Sequence, residues 1–249
     1  MTTLFISDLH LDERRPHITE LFLHFLKTEA SQAEALYILG DLFEFWSGDD
    51  ISNELNDSVQ DGLLALTGSG VNCYFIQGNR DFLVGKRFTK RTGVTLLDEH
   101  SVIELDGQRI LIAHGDTFCT LDEKYQAFRA AIHIKWRQKL FLLLPIFVRE
   151  KIADKVRGHS QQGNQQKSMT LMDVTEAEVI AQMNEHQCRI LIHGHTHRPD
   201  IHSVALNDGI TGQRIVLGDW FTQGSVLRWE NGEYELLQRQ FIDCSKTSE

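Results

Sequence analysis

Five times along this chain a short run of aliphatic, aromatic and β-branched residues stops at a small cluster of Asp, Asn, His and Gly. Residues 4–6 precede Asp8-Leu9-His10, residues 35–39 precede Gly40-Asp41, and residues 73–76 precede Gly78-Asn79-Arg80-Asp81. Residues 109–113 then precede His114-Gly115-Asp116, and residues 189–192 precede His193-Gly194-His195-Thr196-His197. Runs of this length and composition read as buried strands, and the polar clusters as loops delivered at one edge of a sheet. A sixth run covers 214–217. Ile18, Leu21, Phe22, Phe25 and Leu26 lie on one face of a predicted helix over 18–29, and a second helix is predicted over 59–66. This βαβα opening favours an α/β sheet. After about residue 200, strands separated by Asn-Gly and related turns predict a more antiparallel second half.

The chain has 249 residues, enough for one domain with an insertion, and its 41% hydrophobic and 24% charged residues are those of an ordinary globular protein. A formal charge of −10 argues against nucleic acid as a partner. The four cysteines, Cys73, Cys119, Cys188 and Cys244, never approach a metal- or redox-type spacing, and a strand begins at the N-terminus where a signal peptide would otherwise stand. Reduced thiols in the cytoplasm are therefore expected. The longest apolar stretch, 140–148, contains Pro145 and is too short to span a bilayer.

The middle of the chain breaks the rhythm. Between Lys124 and Lys167 there are ten basic residues and two acidic ones, a net of +8 in a chain of net −10. Tyr125, Phe128, Ile132, Trp136, Leu140 and Leu143, at steps of three and four, predict a helical segment ending in the polar residues 158–164. The tail 245–249 reads as disordered.

The clusters together offer Asp8, Asp41, Asn79, His10, His114, His195 and His197, a mixed oxygen and nitrogen donor set without thiolate, suited to two borderline divalent cations. The Asp-x-His and His-x-His spacing predicts that an extended strand end turns both members of each pair to one site. Glycines beside them allow sharp turns close to a metal. Asp116 and His193 are expected to orient neighbouring ligands. His17, His24, His100, His133, His159, His186 and His202 lack ligand spacing.

In its order of motifs, over roughly residues 4–220, the sequence resembles the calcineurin-like metallophosphoesterase superfamily. The resemblance implies a β-sandwich flanked by helices. It also implies a dinuclear centre in which Asp8, His10, Asp41 and His197 hold one metal and Asp41, Asn79, His114 and His195 hold the other. Two such cations activate a bridging water and neutralise phosphoryl charge. Arg80 and Asp81 stand where the superfamily commonly has a histidine, its usual general acid, followed by an acid. An arginine clamps phosphate oxygens but does not donate a proton at neutral pH, which favours a leaving group that needs little protonation, such as the phosphate of a pyrophosphate. The plainer alternative is that Arg80 merely pairs with Asp81.

Residues 39–46, 78–83, 114–117 and 193–199 look like the branch of the superfamily that hydrolyses UDP-2,3-diacylglucosamine in lipid A biosynthesis. That resemblance implies water attack on the α-phosphate, giving UMP and 2,3-diacylglucosamine 1-phosphate. It further implies two Mn2+ per chain and catalytic roles for Asp41, Asn79 and Arg80. Substrate contacts are implied for Asn79, Arg80, Asp122, Tyr125, Ser160, Asn164, Lys167 and His195. The segment 122–167 becomes a helical cap on a single metallophosphoesterase domain, with Trp136, Leu140, Phe141, Leu143, Ile146 and Phe147 among Lys135, Arg137, Lys139, Arg149 and Lys151. It would receive acyl chains and touch an anionic membrane surface. The implied partners are the lipid-bearing UDP-sugar and the cytoplasmic face of the inner membrane, with no obligate protein partner. A plainer role for the segment is an amphipathic helical pair packed on the core. A broad phosphodiesterase on the same metals, or a metal-free scaffold, are the competing functions.

Overall fold

The computed structural model describes residues 2–240 apart from 154, 156–172, 208 and 222. Ser160, Asn164, Lys167, His159, Cys244, the far end of the expected cap and the tail 245–249 lie outside the described residues.

Two sheets face each other. The first has the order β11-β10-β1-β2-β3-β4, in which β1 (Thr2–Ile6), β2 (Ala35–Leu39), β3 (Asn72–Ile76) and β4 (Thr95–Leu96) run parallel. β10 (Gln223–Glu230) and β11 (Glu233–Gln240) close it as an antiparallel hairpin. The second has the order β5-β6-β7-β9-β8, with β6 (Gln108–Ala113), β7 (Ile190–His193) and β9 (Thr211–Val216) parallel. β5 (His100–Leu105) and β8 (Asp200–Ala205) are its antiparallel edges. The expected α/β sandwich flanked by helices, and the antiparallel character of the C-terminal part, are both present.

The strand sequences are continuously apolar because both faces of each central strand are buried. In β1 and β2, Leu4, Ile6, Leu36 and Ile38 join the helical side of the core, while Phe5, Tyr37 and Leu39 point between the sheets to meet Ile110, Ile112, Ile190, Ile192 and Ile215. In the second sheet, Leu111, Ala113 and Leu191 turn outward onto Val179 and Met183 of the helix Glu176–Glu185. On the other side α1 (Pro16–Thr28) and α2 (Glu54–Gly68) cover the first sheet, joined by the short α3 (Lys86–Thr92). α1 starts with Pro in its first turn and buries Ile18, Leu21, Phe22, Phe25 and Leu26, the predicted face. α2 starts earlier than predicted because the Asn53 side chain accepts from the Asn56 N–H at 2.7 Å.

Between β6 and β7 the chain forms α4 (Glu123–Ile132), α5 (Lys135–Leu142) and a third helical stretch, α6, over 146–153; the helix Glu176–Glu185 is α7. The single predicted helical run is thus broken. Ile134 adopts extended backbone (φ −65, ψ 113) and starts a new helix, so apolar spacing continues across a bend that it does not encode. Neither α4 nor α5 fully buries a residue, but Phe141 of α5 is partly buried against the core under the first sheet. What anchors the segment is Arg149 of α6. Its buried guanidinium donates to the Ser47 carbonyl at 2.7 Å and pairs with Asp50. Next to it, Asp49 accepts from Trp46 Nε1 at 3.0 Å and from the Gly85, Arg87 and Phe88 amides at the start of α3. The loop 46–50 therefore ties the inserted helices to the same layer that carries Gly40-Asp41.

Phe22 is fully buried and meets Trp220 edge-on at 6.3 Å. Phe22→Ala is expected to destabilise the protein by about 3–5 kcal/mol, lowering the urea midpoint with little change in slope. An unchanged midpoint would mean that α1 does not seal this side of the sheet.

Candidate metal centre

The loops after β1, β2, β3, β6 and β7 converge. Asp8, His10 and His197 place one donor atom each within 4.8 Å of one another, and so do Asp8, Asp41 and His114. Asp41 lies between the two groups, with Oδ2 3.7 Å from His10 Nε2 and Oδ1 3.6 Å from His114 Nε2. Asn79 Oδ1 is 3.0 Å from His114 Nε2. His195 is in neither carboxylate–imidazole group; its ring packs 5.1 Å from that of His114 and 6.2 Å from that of Tyr125.

The geometric basis differs from the expected extended strand ends. β1 stops at Ile6, and Asp8, His10, Asp41, His195 and His197 all have positive φ, between 49° and 69°. Side chains other than Gly avoid this region, and such strain gathers where function over-determines the backbone. Backbone bonds hold the turns: the Asp8 N–H donates to the Gly40 carbonyl at 3.1 Å and the His10 N–H to the Asp41 carbonyl at 2.9 Å. Asp81 does more. Its buried carboxylate accepts from the amides of Gly78 at 2.8 Å and Leu42 at 2.8 Å, with longer bonds from Asp41 and Phe43, stapling the second loop to the third. Burial, reinforced by Asp41, pushes its carboxyl up to about 7. Asp81 is thus occupied with backbone, and Arg80 instead faces Glu44 at 3.9 Å. Gly40 is needed here: at φ 86 a Cβ would also come 2.6 Å from His114 Nδ1.

Each imidazole at the centre of the two groups is aimed from behind. His114 Nδ1 donates to the Leu39 carbonyl at 2.8 Å, Glu44 Oε2 lies 3.1 Å from His10 Nδ1, and Asp219 Oδ2 lies 3.2 Å from His197 Nδ1. A carbonyl or carboxylate behind Nδ1 keeps the proton there and turns the Nε2 lone pair inward. The result is that His10 Nε2 and His197 Nε2 come within 3.3 Å of each other. Asp8 is divided in the same way. Its Oδ2 accepts from Ser7 Oγ at 2.6 Å and the His195 N–H at 2.9 Å, while its buried Oδ1 makes no hydrogen bond among the described residues and faces His197 Nε2 at 3.3 Å. An orphaned carboxylate oxygen beside converging nitrogen lone pairs fits a divalent cation.

Glu44, Asp219 and Asp81 therefore do the orienting expected of Asp116 and His193. Asp116 accepts from Tyr125 Oη at 2.7 Å and Arg129 Nε at 2.6 Å, fastening α4 to the site, and His193 faces the Gly194 carbonyl and Arg214. Glu44 has one signal in the sequence, an acid three residues beyond Asp41, and Asp219 has another, a Gly-Asp pair directly after the run 214–217, as at Gly40-Asp41. Asp122 caps α4, accepting from the Tyr125 N–H at 3.1 Å. Among the remaining histidines, His100 bonds Thr117 Oγ1 at 2.8 Å and His133 stacks on Phe82 at 5.1 Å.

Residues 1–199 match the family model described as calcineurin-like phosphoesterase. The chain is 54% identical over 242 residues to UDP-2,3-diacylglucosamine hydrolase of Aeromonas hydrophila, covering 97% of this chain and 100% of that one. It is 53% identical to the protein of that name from Aliivibrio fischeri and 52% to that from Escherichia coli O6:H1, with the same coverage of each. A structure of a novel archaeal phosphodiesterase is similar over 96% of this chain and 99% of its own, at 13% identity and a TM-score of 0.47.

Burial opposes a charge on His114 and His197, but Asp41 and Asp8 outweigh it and raise His114 to about 9, while Asp8 and Asp219 raise His197 to about 10. Asp8 is itself held far below the usual carboxylate range, since these histidines overcome its burial. In the metal-free protein the protons on His114 and His197 compete with a cation at every pH below those values. Divalent-metal affinity is expected to rise with pH from 6 to 9, with protons released at pH 7. Calorimetry in two buffers of different ionisation enthalpy counts them; a heat independent of buffer would refute this account.

Proposed function

The chain belongs to the calcineurin-like phosphoesterase family and to its UDP-2,3-diacylglucosamine hydrolase branch, and from that premise we propose that it hydrolyses the pyrophosphate bond of UDP-2,3-diacylglucosamine in lipid A synthesis, by water attack on the α-phosphate, giving UMP and 2,3-diacylglucosamine 1-phosphate. The observation that carries the chemistry is the orphaned Asp8 oxygen among the Nε2 atoms of His10 and His197. Asp8, His10, Asp41 and His197 would hold one divalent cation, and Asp41, Asn79, His114 and His195 the second, with Mn2+ the metal proposed. When bound, such a pair lowers the pKa of a shared water and offsets charge on phosphoryl oxygens.

The chain's own groups supply the rest. Arg80 anchors its backbone by donating its N–H to Asp41 Oδ1 at 2.9 Å, and its buried Nε makes no hydrogen bond among the described residues. A guanidinium fixed at its base with an uncommitted edge suits it to clamp phosphate oxygens. Having no proton to give, it suits a leaving phosphate rather than an alkoxide. The Tyr125 ring, held by Asp116 and lying against His195, forms a wall beside the centre.

The segment beginning at 122 serves in this reading as a cap for the acyl chains. Trp136, Leu143 and Phe147 are 59%, 80% and 61% exposed, and Leu140 is exposed as well; so many large apolar side chains turned to the outside of one inserted segment favour a lipid occupant. Lys135, Arg137, Lys139 and Lys151 among them suit an anionic bilayer. Among the described residues no helix is long and apolar enough to cross a membrane. The proposed location is peripheral, at the cytoplasmic face of the inner membrane.

With Mn2+ in oxygen-18 water, phosphorus NMR is expected to find the label in UMP, and Asp41→Ala to abolish turnover; label on the sugar phosphate would place the attack on the other phosphorus. Replacing Trp136, Leu143 and Phe147 together by Ser is expected to raise KM for the diacylated substrate at least about tenfold, each apolar side chain being worth about 1.5–3 kcal/mol when buried. Turnover of a soluble phosphodiester should stay as it was, and an unchanged KM would reduce the segment to a structural role.

A further inference from the structure

The tripeptide Asp219-Trp220-Phe221, between β9 and β10, touches the candidate centre with all three of its residues. Trp220 is the root. Its indole is buried against Phe22 and Phe25, its Nε1 donates to the Ser225 carbonyl at 3.1 Å, and its backbone N–H reaches the Asp8 carbonyl at 3.3 Å. From this root Asp219 turns back to His197 Nδ1 at 3.2 Å, steadied by the Phe221 N–H donating to its Oδ1 at 3.1 Å. The Phe221 ring lies on both imidazoles of the first triad, 5.4 Å and 25° from His10 and 5.5 Å and 58° from His197.

Phe221 is 38% exposed, so the core does not enclose it. It is held over the histidines from outside instead. Arg15 stacks its guanidinium 4.6 Å from the ring centroid while donating to the His10 carbonyl at 2.7 Å, and it also approaches Glu44, which backs His10. Glu44, His10, Phe221, His197 and Asp219 thus form a closed circuit around one triad and none of the other. An apolar wall and a carboxylate behind the ligand act on a metal by limiting water access and by fixing the ligand's tautomer and orientation.

We propose that Asp219 and Phe221, rooted by Trp220, form a clasp that sets how tightly the site of Asp8, His10 and His197 retains its cation, while leaving the site of Asn79 and His114 untouched. This rests on the dinuclear reading above. Both are positioning residues, acting through His10 and His197.

The test is metal retention, read without substrate. The Mn2+-loaded full chain is passed to a chelating indicator, and release is followed for Phe221→Ala, Phe221→Leu, Asp219→Ala and Asp219→Asn. The unaltered chain is expected to release two equivalents, and Phe221→Ala and Asp219→Ala to lose one of them with affinity weakened about 10–100-fold, the second being unchanged. Asp219→Asn, which keeps an acceptor for Nδ1, and Phe221→Leu, which keeps apolar cover, are expected to fall between. Thermal melts of the metal-free variants identify any that fail to fold, and the two conservative variants then carry the comparison. Two equivalents held as tightly in every variant, or both weakened equally, would overturn the clasp. No metal bound by the unaltered chain would overturn the dinuclear reading itself.

Discussion

Two imidazole nitrogens brought to 3.3 Å beside a carboxylate oxygen with no hydrogen bond are not a resting arrangement for a protein interior. Left alone, such groups rotate toward water or toward better partners, because a buried polar atom without one carries a cost of about 1–3 kcal/mol. Here they do not, because each is already held from behind by Glu44, Asp219 or the amide of His195. The fold converts the binding preferences of its own polar groups into a cluster of inward-facing nitrogen and oxygen donors, two of which give up a proton when a cation enters. Most other features of the molecule serve that end.

The two sheets are the rigid part. Their strands, apolar on both faces, fix where each chain segment emerges, and the loops then have little freedom left to satisfy. Asp81 illustrates how the freedom is removed. A carboxylate with its charge suppressed by burial spends its oxygens on four backbone amides, so the turn bearing Asp41 and the turn bearing Asn79 move as one body. Arg149 and Asp49 extend the same body to the helices inserted between β6 and β7. Those helices meet the remainder through polar anchors and a few rings, Phe141 among them, and turn Trp136, Leu140, Leu143 and Phe147 outward.

Most of the architecture is legible in the sequence, since continuous apolar strands and a periodic face on α1 leave few alternatives. The donor set is legible too, because Asp, Asn and His gathered after five strands have few other uses. What the sequence hid is of two kinds. Periodicity cannot see a bend such as that at Ile134, where the spacing of apolar residues carries on undisturbed. Nor can spacing reveal partners assembled from distant segments: Asp219 reaches His197, and Asp81 reaches Leu42, by tertiary placement alone. The left-handed backbone at Asp8 and His10 was hidden for the opposite reason, since local pattern suggests a strand continuing where the tertiary contacts demand a turn.

That left-handed backbone has a consequence for anyone who sets out to make this protein more heat-resistant. Placing glycine at such dihedrals is a standard route to a sturdier chain, each non-glycine residue there forgoing roughly 1–2 kcal/mol. Of the eight non-glycine positions at positive φ among the described residues, Asp8, His10, Asp41, His195 and His197 are five. A design procedure that ranks sites by conformational discomfort alone would therefore rewrite the working centre first and deliver a robust, inert sandwich.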